Sequence, residues 1–577
     1  MRVTRPWVPA AAGYAALLVG LLDILRGVIP GFRGGLVGVV AGVLPGTVTT
    51  LARAGSLLVG VLLIMLAHAL RRGKVRAWRA VMLLLPLGAL AELLHWRHPL
   101  AGAVSVLLFV VLLVNRHRFQ ALSDPRSRWR ALWAFFALAV LDLAVGWVIV
   151  GLHGYAESVP AGDRLRQVLL GLFGVEGQVR YSSALAADFV YTALAGLGAL
   201  TAITTAYLVL RPERPVAALC PRDERRVRDL LDRYGGQDSL GYFALRRDKS
   251  VLFSPSGKAA VAYRVVGGVM LASGDPIGDV EAWPAAIRCF MDEARRHAWV
   301  PAVVGCGETG GVVWTREAGL SALEIGDEAV VDVAEFTLEG RAMRNVRQMV
   351  KRIERSGYEC RVRRVGDLGE EERRRVRAAA EAWRGTETER GFSMALGRVG
   401  DLADDRCLVV TAHRMPGGGL RAVLHFVPWG ADGVSLDLMR RDRSADPGLN
   451  ELLIVRTLQA APSLGIARVS LNFAMFRSAL ARGERLGAGP VLRAWRRVLV
   501  FLSRWFQIES LYRFNAKFRP YWEPRFLVYP AARDLPRIGL SALRAEAFLP
   551  SGVPRLPPRG RHRPGPAPSG DALPAWP

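Results

Sequence analysis

Apolar residues are concentrated in the first 210 positions, where long hydrophobic runs alternate with short polar loops. Most of these runs approach the roughly 20 residues that a helix needs to cross a bilayer core of about 30 Å. The pattern predicts an α-helical transmembrane bundle over residues 1–212, followed by a soluble portion. The predicted spans are 7–29, 52–70, 77–95, 99–114, 131–152 and 184–210.

Loop charge decides between five, six and seven spans, because the Gly-rich stretch 31–50 also fits a re-entrant or interfacial segment. The loops 71–79 and 115–130 each carry five Arg or Lys residues, whereas the turn 96–98 between them carries only Arg97. Basic loops remain on the cytoplasmic side of a membrane. Six spans satisfy this rule, with the N-terminus and everything after residue 211 in the cytoplasm.

Five ionisable residues fall inside the predicted spans, where charge is costly and usually faces the interior of a helix bundle. They are Asp23, Arg26, Glu92, Asp142 and Asp188. They are compatible with a cavity for a lipid headgroup and equally with pairing inside the bundle, and the sequence leaves both interpretations open.

The soluble portion mixes helical and strand periodicities, which predicts two α/β units at 213–335 and 336–550. The Pro- and Arg-rich tail 551–577 has the composition of a disordered segment. Predicted helices cover 222–234, 281–298 and 449–464, and a further helix opens the second unit. Predicted strands cover 301–307, 406–414, 420–428, 433–439 and 467–473, with several short strands in 250–279.

The chain is strongly basic, with 77 Lys and Arg against 51 Asp and Glu and a formal net charge of +26. A surplus of this size favours anionic partners such as nucleic acid or anionic lipid. Arg344, Arg347, Lys351 and Arg355 recur at offsets of three and four, so they share one helical face. This stripe is suited to a phosphate backbone, although a solvated helix face has the same pattern.

Cysteine and histidine spacing gives no sign of a metal site or a resident cofactor. The five cysteines form no CxxC pair, and the nine histidines show no HExxH spacing. We therefore expect neither a metal nor a cofactor. The first apolar run lacks a small-residue cleavage site and is expected to remain as a helix.

Several stretches of the soluble portion resemble the phosphatidylglycerol lysyltransferases, the multiple peptide resistance factor family, and most closely the actinobacterial form. The matching stretches begin with 241–279 (GYFALRRDKSVLFSPSGK and onward), ERGFSMALGR (389–398) and SLDLMRRDRSADPGLNELLI (435–454). SLNFAMFRS (470–478) and FQIESLYRFNAKFRPYWEPRFLVYP (506–530) follow in family order.

The resemblance implies a tandem of GNAT-type acyltransferase domains that moves an aminoacyl group, by family default lysyl, from aminoacyl-tRNA to phosphatidylglycerol. The product carries less negative charge than the acceptor, an effect associated in the family with resistance to cationic peptides. Many relatives carry a fused lysyl-tRNA synthetase, whereas this sequence ends at residue 577. We therefore expect a separate synthetase to supply the donor, and a homo-oligomer remains compatible with the sequence.

Motif positions supply the candidate site residues. Asp437 and Arg440 form the DxxR of the SxDLMR motif, suited to orienting an ammonium or accepting a proton and to holding a phosphate. Asn472 is suited to donating to an oxyanion. The other candidates are Glu451 and Glu509 as acidic groups, and Lys517 and Arg525 as ligands for the tRNA terminus or a lipid phosphate.

Three alternatives compete with aminoacyl transfer. A GNAT-fold acyltransferase using acetyl-CoA needs a pyrophosphate loop, and the nearest stretch, ERLGAG (484–489), has Glu484 where a cation belongs. A non-enzymatic flippase would be expected to have more spans than six. A degenerate relative that binds tRNA or lipid without catalysis is disfavoured by the intact DLMR and NAKF segments.

Overall fold

The protein is described from a computed structural model. It describes residues 7–28, 62–64, 66–67, 70–71, 75–94, 99–116, 119, 127–152, 159–175, 179, 181–210, 217–385, 391–475 and 508–549. The predicted span 52–70 lies largely outside these residues, as do the predicted disordered tail and the stretch 484–489.

The described part of the N-terminal region is mostly helical. Its helices are α1 (Trp7–Val28), α2 (Val75–Leu94), α3 (Pro99–Val114), α4 (Ser127–Leu152), α5 (Ala161–Leu172) and α6 (Ala184–Leu210). Within the described residues, two segments are long and apolar enough to cross a membrane, Leu132–Leu152 of α4 and Ala186–Thr205 of α6. The predicted count of six spans is therefore not confirmed. Helix α5 was not predicted.

Asp142, one of the ionisable residues in the predicted spans whose side chains the structure describes, has a partner inside the bundle. The Thr201 hydroxyl of α6 donates to the Asp142 carboxylate of α4 across 2.7 Å, and both residues are buried. This contact fits the pairing interpretation for Asp142, because it satisfies a polar group that lipid would leave without a partner. The side chains of Asp23 and Arg26 lie outside the described residues.

The soluble portion forms one mixed sheet of twelve strands with helices on its faces. The helices are α7 (Pro221–Tyr234), α8 (Trp283–Arg296), α9 (Glu308–Ala318), α10 (Arg344–Arg355), α11 (Glu370–Ala382), α12 (Leu449–Ala460), α13 (Ile508–Ala516) and α14 (Leu535–Ala545). The first six strands are β1 (Ser250–Phe253), β2 (Ala259–Val266), β3 (Val269–Ser273), β4 (Ile277–Gly278), β5 (Val300–Cys306) and β6 (Ser321–Asp332). The others are β7 (Tyr358–Arg364), β8 (Leu408–Arg414), β9 (Gly419–Trp429), β10 (Gly433–Arg441), β11 (Arg468–Met475) and β12 (Tyr521–Tyr529).

The two predicted units share this sheet because the last strand of each unit pairs with strands of the other. The strand order is β1-β2-β3-β5-β12-β6-β11-β10-β9-β8-β7, with β4 beside β2. Strand β12, from the end of the chain, pairs with β5 and β6 of the first unit, while β6 pairs with β11 of the second. Each unit therefore completes the sheet of the other.

Alternating burial along the strands places a core on both faces of the sheet. On β9, Leu424 and Phe426 join one hydrophobic cluster, whereas Val423 and Val427 join another with residues of α7 and of the loop before β8. This is the period-two pattern of a strand covered on both faces. It explains why β9 reads as an almost continuous apolar run in which the polar His425 stands out.

Candidate active site

Asp437 lies in a β-bulge, where the pairing of β10 with β9 shifts between Leu436 and Leu438. Its side chain is 2% exposed, and both carboxylate oxygens are bonded. The backbone N–H of Leu396 donates to Oδ1 across 2.6 Å. Oδ2 lies 2.6 Å from Nδ1 of His425. Bulges often redirect a side chain next to an active site, and this bulge aims Asp437 between the sheet and the loop that contains Leu396.

His425 was not among the sequence candidates. It sits on β9 opposite Val409 of β8, and its side chain has no exposed surface. Its Nε2 atom is buried and has no hydrogen-bond partner among the described residues. The signal was present in the sequence, because a histidine in the run AVLHFV (422–427) must face the interior of a two-sided sheet.

Residues 391–398 of the motif ERGFSMALGR belong to a loop that contacts Asp437, and residues 391–400 of this loop are held from several sides. Arg246 of the first unit donates to the carbonyls of Gly391 and Ala395. Glu546, after α14, accepts hydrogen bonds from the Ser393 hydroxyl at 2.6 Å and the Ser393 N–H at 3.1 Å. The loop is therefore hydrogen-bonded to Arg246 of the first unit, to Glu546 after α14 and to Asp437.

Asn472 takes part in the same arrangement but in a role that differs from the predicted oxyanion donor. Its backbone has a positive φ of 71°, a conformation that asparagine tolerates better than most residues. Its side-chain amide donates to the carbonyl of Leu436 at 3.0 Å and to that of Met394 at 3.4 Å. The amide therefore links β11, β10 and the 391–400 loop, and both of its hydrogens are directed at main-chain oxygens.

A cleft of about 480 Å³ opens beside Asp437 and Arg440. Its lining is formed by Arg247, Arg377, Ala380, Glu381, Arg384, Gly397, Arg398, Val399, Asp401, Asp437, Leu438 and Arg440. Five arginines and three carboxylates give this lining a positive balance. Arg440 donates to the carbonyl of Ala380, and Arg377 donates to the carbonyl of Gly400 at 3.2 Å. Main-chain oxygens thus orient two guanidinium groups on the cleft lining.

The predicted residues Glu451 and Lys517 come together as an ion pair. Glu451 lies in the first turn of α12, and Lys517 follows α13. Their Oε1 and Nζ atoms are 2.7 Å apart, with the Lys517 side chain 44% exposed. The ammonium also lies 5.3 Å from the centre of the Phe514 ring. The side chain of Glu509, on α13, lies outside the described residues.

Arg525 is placed in the interior rather than on a surface that a phosphate could reach. Its guanidinium is 2.7 Å from Asp238, and its Nε atom is 2.9 Å from Glu328. Burial acts to lower the pKa of Arg525, but the charges of Glu328 and Asp238 outweigh it and raise that pKa well above the usual range. Arg525, which was expected to bind a phosphate, is thus paired with carboxylates and links β12 to β6 and to the loop before residue 240.

Two further buried ionisable groups were not predicted. Asp275 lies beside Arg525 and Asp238, and Lys249 lies beside the 391–400 loop. Burial and the neighbouring Asp238 raise the pKa of Asp275 to about 7. Burial, with a further contribution from Arg246, lowers the pKa of Lys249 to about 7. The Lys249 ammonium donates to the Ser273 hydroxyl at 2.7 Å and lies 4.8 Å from the centre of the Phe392 ring. Lys249 therefore contacts the same 391–400 loop through Phe392.

The predicted basic stripe lies on α10, away from the cleft lining. Arg344, Lys351 and Arg355 are exposed, whereas Arg347 is half-buried and donates to the carbonyls of Leu338 and Gly340. Three of its four cations therefore face solvent, as a surface for a polyanion requires.

Comparison with known proteins gives two family matches that together cover most of the chain. The profile described as "Phosphatidylglycerol lysyltransferase, C-terminal" matches residues 228–529. The profile described as "Transmembrane region of lysyl-tRNA synthetase" matches residues 4–210.

Curated relatives and a solved structure agree with these matches. The bifunctional lysylphosphatidylglycerol biosynthesis protein LysX of Rhodococcus opacus is 44% identical over 472 residues, which are 80% of this chain and 41% of that protein. The LysX protein of Mycobacterium marinum is 42% identical over 566 residues, 94% of this chain and 50% of that protein. The chain thus spans about half the length of these relatives. The structure of L-PGS from Bacillus licheniformis superposes with a TM-score of 0.50 at 21% identity, covering 58% of this chain and 99% of that one, which supports the fold alone.

Proposed function

Because this chain belongs to the phosphatidylglycerol lysyltransferase family, we propose that it transfers a lysyl group from lysyl-tRNA to a hydroxyl of phosphatidylglycerol. The hydroxyl oxygen of the lipid attacks the carbonyl carbon of the lysyl ester. A new C–O bond forms to the lipid, and the C–O bond to the terminal ribose of the tRNA breaks. The proton lost by the lipid hydroxyl is balanced by the proton gained by the ribose oxygen, so one ester replaces another.

The observation that carries this proposal is the combination of a carboxylate and several arginines in one cleft. Both substrates bring phosphates, which arginine binds well, and Arg377 and Arg440 lie on the cleft lining. The lysyl group brings ammonium charge, for which Asp437 is the matching anion. A cleft with both kinds of group can hold the donor ester next to the lipid hydroxyl, which lowers the entropic cost of the reaction.

Four other predicted residues, outside the cleft lining, support the proposal. The exposed cations of α10, Arg344, Lys351 and Arg355, offer a surface for the tRNA backbone. Lys517, half-exposed beside Glu451, is suited to a second phosphate contact. The transmembrane region keeps the soluble portion at the bilayer, and the basic loops orient this portion toward the cytoplasm, where aminoacyl-tRNA is available. Addition of lysine to the lipid lowers the negative charge of that leaflet.

The test is transfer by the full chain in vesicles that contain phosphatidylglycerol. Lysyl-tRNA with a radiolabelled lysyl group is the donor, and label in the extracted lipid is measured. We expect label to appear in the lipid and to be abolished when the donor is treated with RNase before the reaction. Labelling that survives RNase would reject tRNA as the donor, and labelling in vesicles without phosphatidylglycerol would reject that lipid as the acceptor.

A further inference from the structure

We propose that His425 is a positioning residue for lysyl transfer, and that it acts by fixing the orientation of the Asp437 carboxylate, a residue of the cleft lining. This inference rests on the proposed function and adds a specific part to it. It is carried by the contact of 2.6 Å between Nδ1 of His425 and Oδ2 of Asp437 and by the complete burial of the imidazole.

The orientation of the Asp437 carboxylate is fixed by two donors on opposite oxygens. The Leu396 N–H donates to Oδ1, and His425 is bonded to Oδ2. A planar carboxylate held at both oxygens cannot rotate without losing one of these bonds. Each carboxylate oxygen accepts about two hydrogen bonds, so both oxygens of Asp437, a residue of the cleft lining, keep acceptor capacity beyond these two contacts.

The surroundings of His425 determine which nitrogen carries the proton. Val423 and Val427, on the same face of β9, belong to a buried hydrophobic cluster, and Nε2 has no partner among the described residues. A proton on Nε2 would leave a buried donor unsatisfied, which costs more than an unused acceptor lone pair. A proton on Nδ1 is therefore favoured over one on Nε2, and His425 donates to Asp437.

The same geometry excludes a direct role for His425 as the base that contacts the lipid hydroxyl. A general base must come within hydrogen-bond reach of the proton that it accepts. His425 has no exposed surface and is absent from the cleft lining, whereas Asp437 lines the cleft. His425 can therefore influence the substrates only through Asp437.

A histidine at this position is also not what packing alone would select. Its neighbours on this face of the sheet are aliphatic, and a leucine would fill the space without an unpartnered nitrogen. A buried polar pair is seldom the most stabilising choice when hydrophobic residues fit the same volume. The pair is explained more simply by the need to orient one carboxylate beside the cleft.

The test compares His425→Leu, His425→Asn, Asp437→Asn and the double variant His425→Leu/Asp437→Asn as full chains in phosphatidylglycerol vesicles. His413→Leu is the matched control, because His413 lies on β8 with its ring bonded to Gly418 and Thr411. Asparagine places an amide N–H near the position of the imidazole Nδ1–H, so His425→Asn keeps the donor. Initial rates of lysyl transfer at varied lysyl-tRNA give kcat and KM, and thermal unfolding of each variant reports folding.

We expect His425→Leu to lower kcat by about 10- to 100-fold, the effect of losing one hydrogen bond to a charged group, with KM for lysyl-tRNA little changed. His425→Asn should stay within about threefold of wild type because the donor is retained. The double variant should be no slower than Asp437→Asn alone, since two residues that act as a unit are not additive.

The experiment separates failure of the proposed function from failure of the positioning role of His425. An inactive wild type would reject the proposed function itself. An active wild type with full activity in His425→Leu, or independent and multiplicative losses in the double variant, would overturn the role of His425. If His425→Leu fails to fold, His425→Asn decides, because a folded His425→Asn protein with a large loss of kcat contradicts positioning through a δ-position donor.

Discussion

His425 and Asp437 form a buried pair on neighbouring strands, with Nδ1 and Oδ2 2.6 Å apart at a bulge in β10. The bulge shifts the register by one residue, and without it Asp437 would stand in a different position relative to His425. A local irregularity in strand pairing therefore places Asp437 of the DLMR motif beside both His425 and the cleft.

Removing the charge of Asp437 should have a large effect on transfer and a small one on folding. We expect Asp437→Asn to lower kcat/KM by about 100-fold or more, the scale of losing a preorganised electrostatic contact. Asp292→Asn is the matched control, because Asp292 is exposed and pairs with Arg295 on α8. Initial rates in phosphatidylglycerol vesicles provide the measurement, and equal rates for the two variants would remove Asp437 from the site.

The buried cluster around Arg525 should control stability rather than substrate affinity. Arg525→Met leaves Glu328 and Asp238 as uncompensated buried charges, so we expect the free energy of unfolding to fall by about 3–5 kcal/mol. Adding Glu328→Gln should recover part of this loss. Arg295→Met, which removes an exposed ion pair, should cost less than about 1 kcal/mol. Denaturation of the full chain in nanodiscs measures these differences, and an unchanged stability with a raised KM would favour the original prediction of a phosphate ligand.

Lys249 should make stability depend on pH in a defined direction. Burial lowers its pKa in the folded protein to about 7 from the usual value of 10.5. Between these values the unfolded chain binds the proton and the folded protein does not, so the free energy of unfolding rises with pH. Relative to Lys249→Met, wild type should gain up to about 4 kcal/mol between pH 7 and pH 10.

The control for this prediction is Lys351→Met, because Lys351 is exposed on α10. Its stability relative to wild type should not change over the same pH range. Unfolding of all three proteins in nanodiscs at several pH values supplies the comparison. A Lys249→Met curve parallel to that of wild type would show that the buried ammonium does not titrate in this range.

The exposed cations of α10 should act on tRNA affinity and its salt dependence. The triple variant Arg344→Gln/Lys351→Gln/Arg355→Gln should raise KM for lysyl-tRNA and reduce the salt slope by about one per lost phosphate contact. The charge-matched control is Arg288→Gln/Arg295→Gln/Arg316→Gln, three exposed arginines of α8 and α9. Equal effects of both triple variants would show that net charge, rather than this helix face, attracts the tRNA.

The sequence predicted local elements of the soluble portion well, because their periodicity is local. The predicted strand 420–428 and helix 222–234 agree with β9 and α7 to within two residues. The exchange of β6 and β12 between the units was not predicted, since strand order depends on contacts between distant parts of the chain. The division at 335/336 therefore separates the sequence into two units without separating the sheet.

For the site, motif resemblance located Asp437 and Arg440 on the cleft but did not distinguish an exposed charge from a buried one. Arg525 and Lys517 come from the same motif region, yet one is wholly buried among carboxylates and the other is half-exposed. Burial of a charge depends on which strands surround it, and β12 is surrounded by strands of the other unit. His425 lies outside the motifs that carry the family resemblance. Its position on a buried face of β9 depends on strand pairing with distant parts of the chain.

Lysyl transfer to phosphatidylglycerol is tested most directly by mass spectrometry of lipids extracted after reaction of wild type and Asp437→Asn in phosphatidylglycerol vesicles. The donor is lysyl-tRNA with an isotopically labelled lysyl group, and free labelled lysine with ATP serves as the alternative donor. We expect labelled lysylphosphatidylglycerol with wild type and lysyl-tRNA, and greatly reduced product with Asp437→Asn. Lysylated lipid formed from free lysine without tRNA, or equal product from the two proteins, would contradict this expectation.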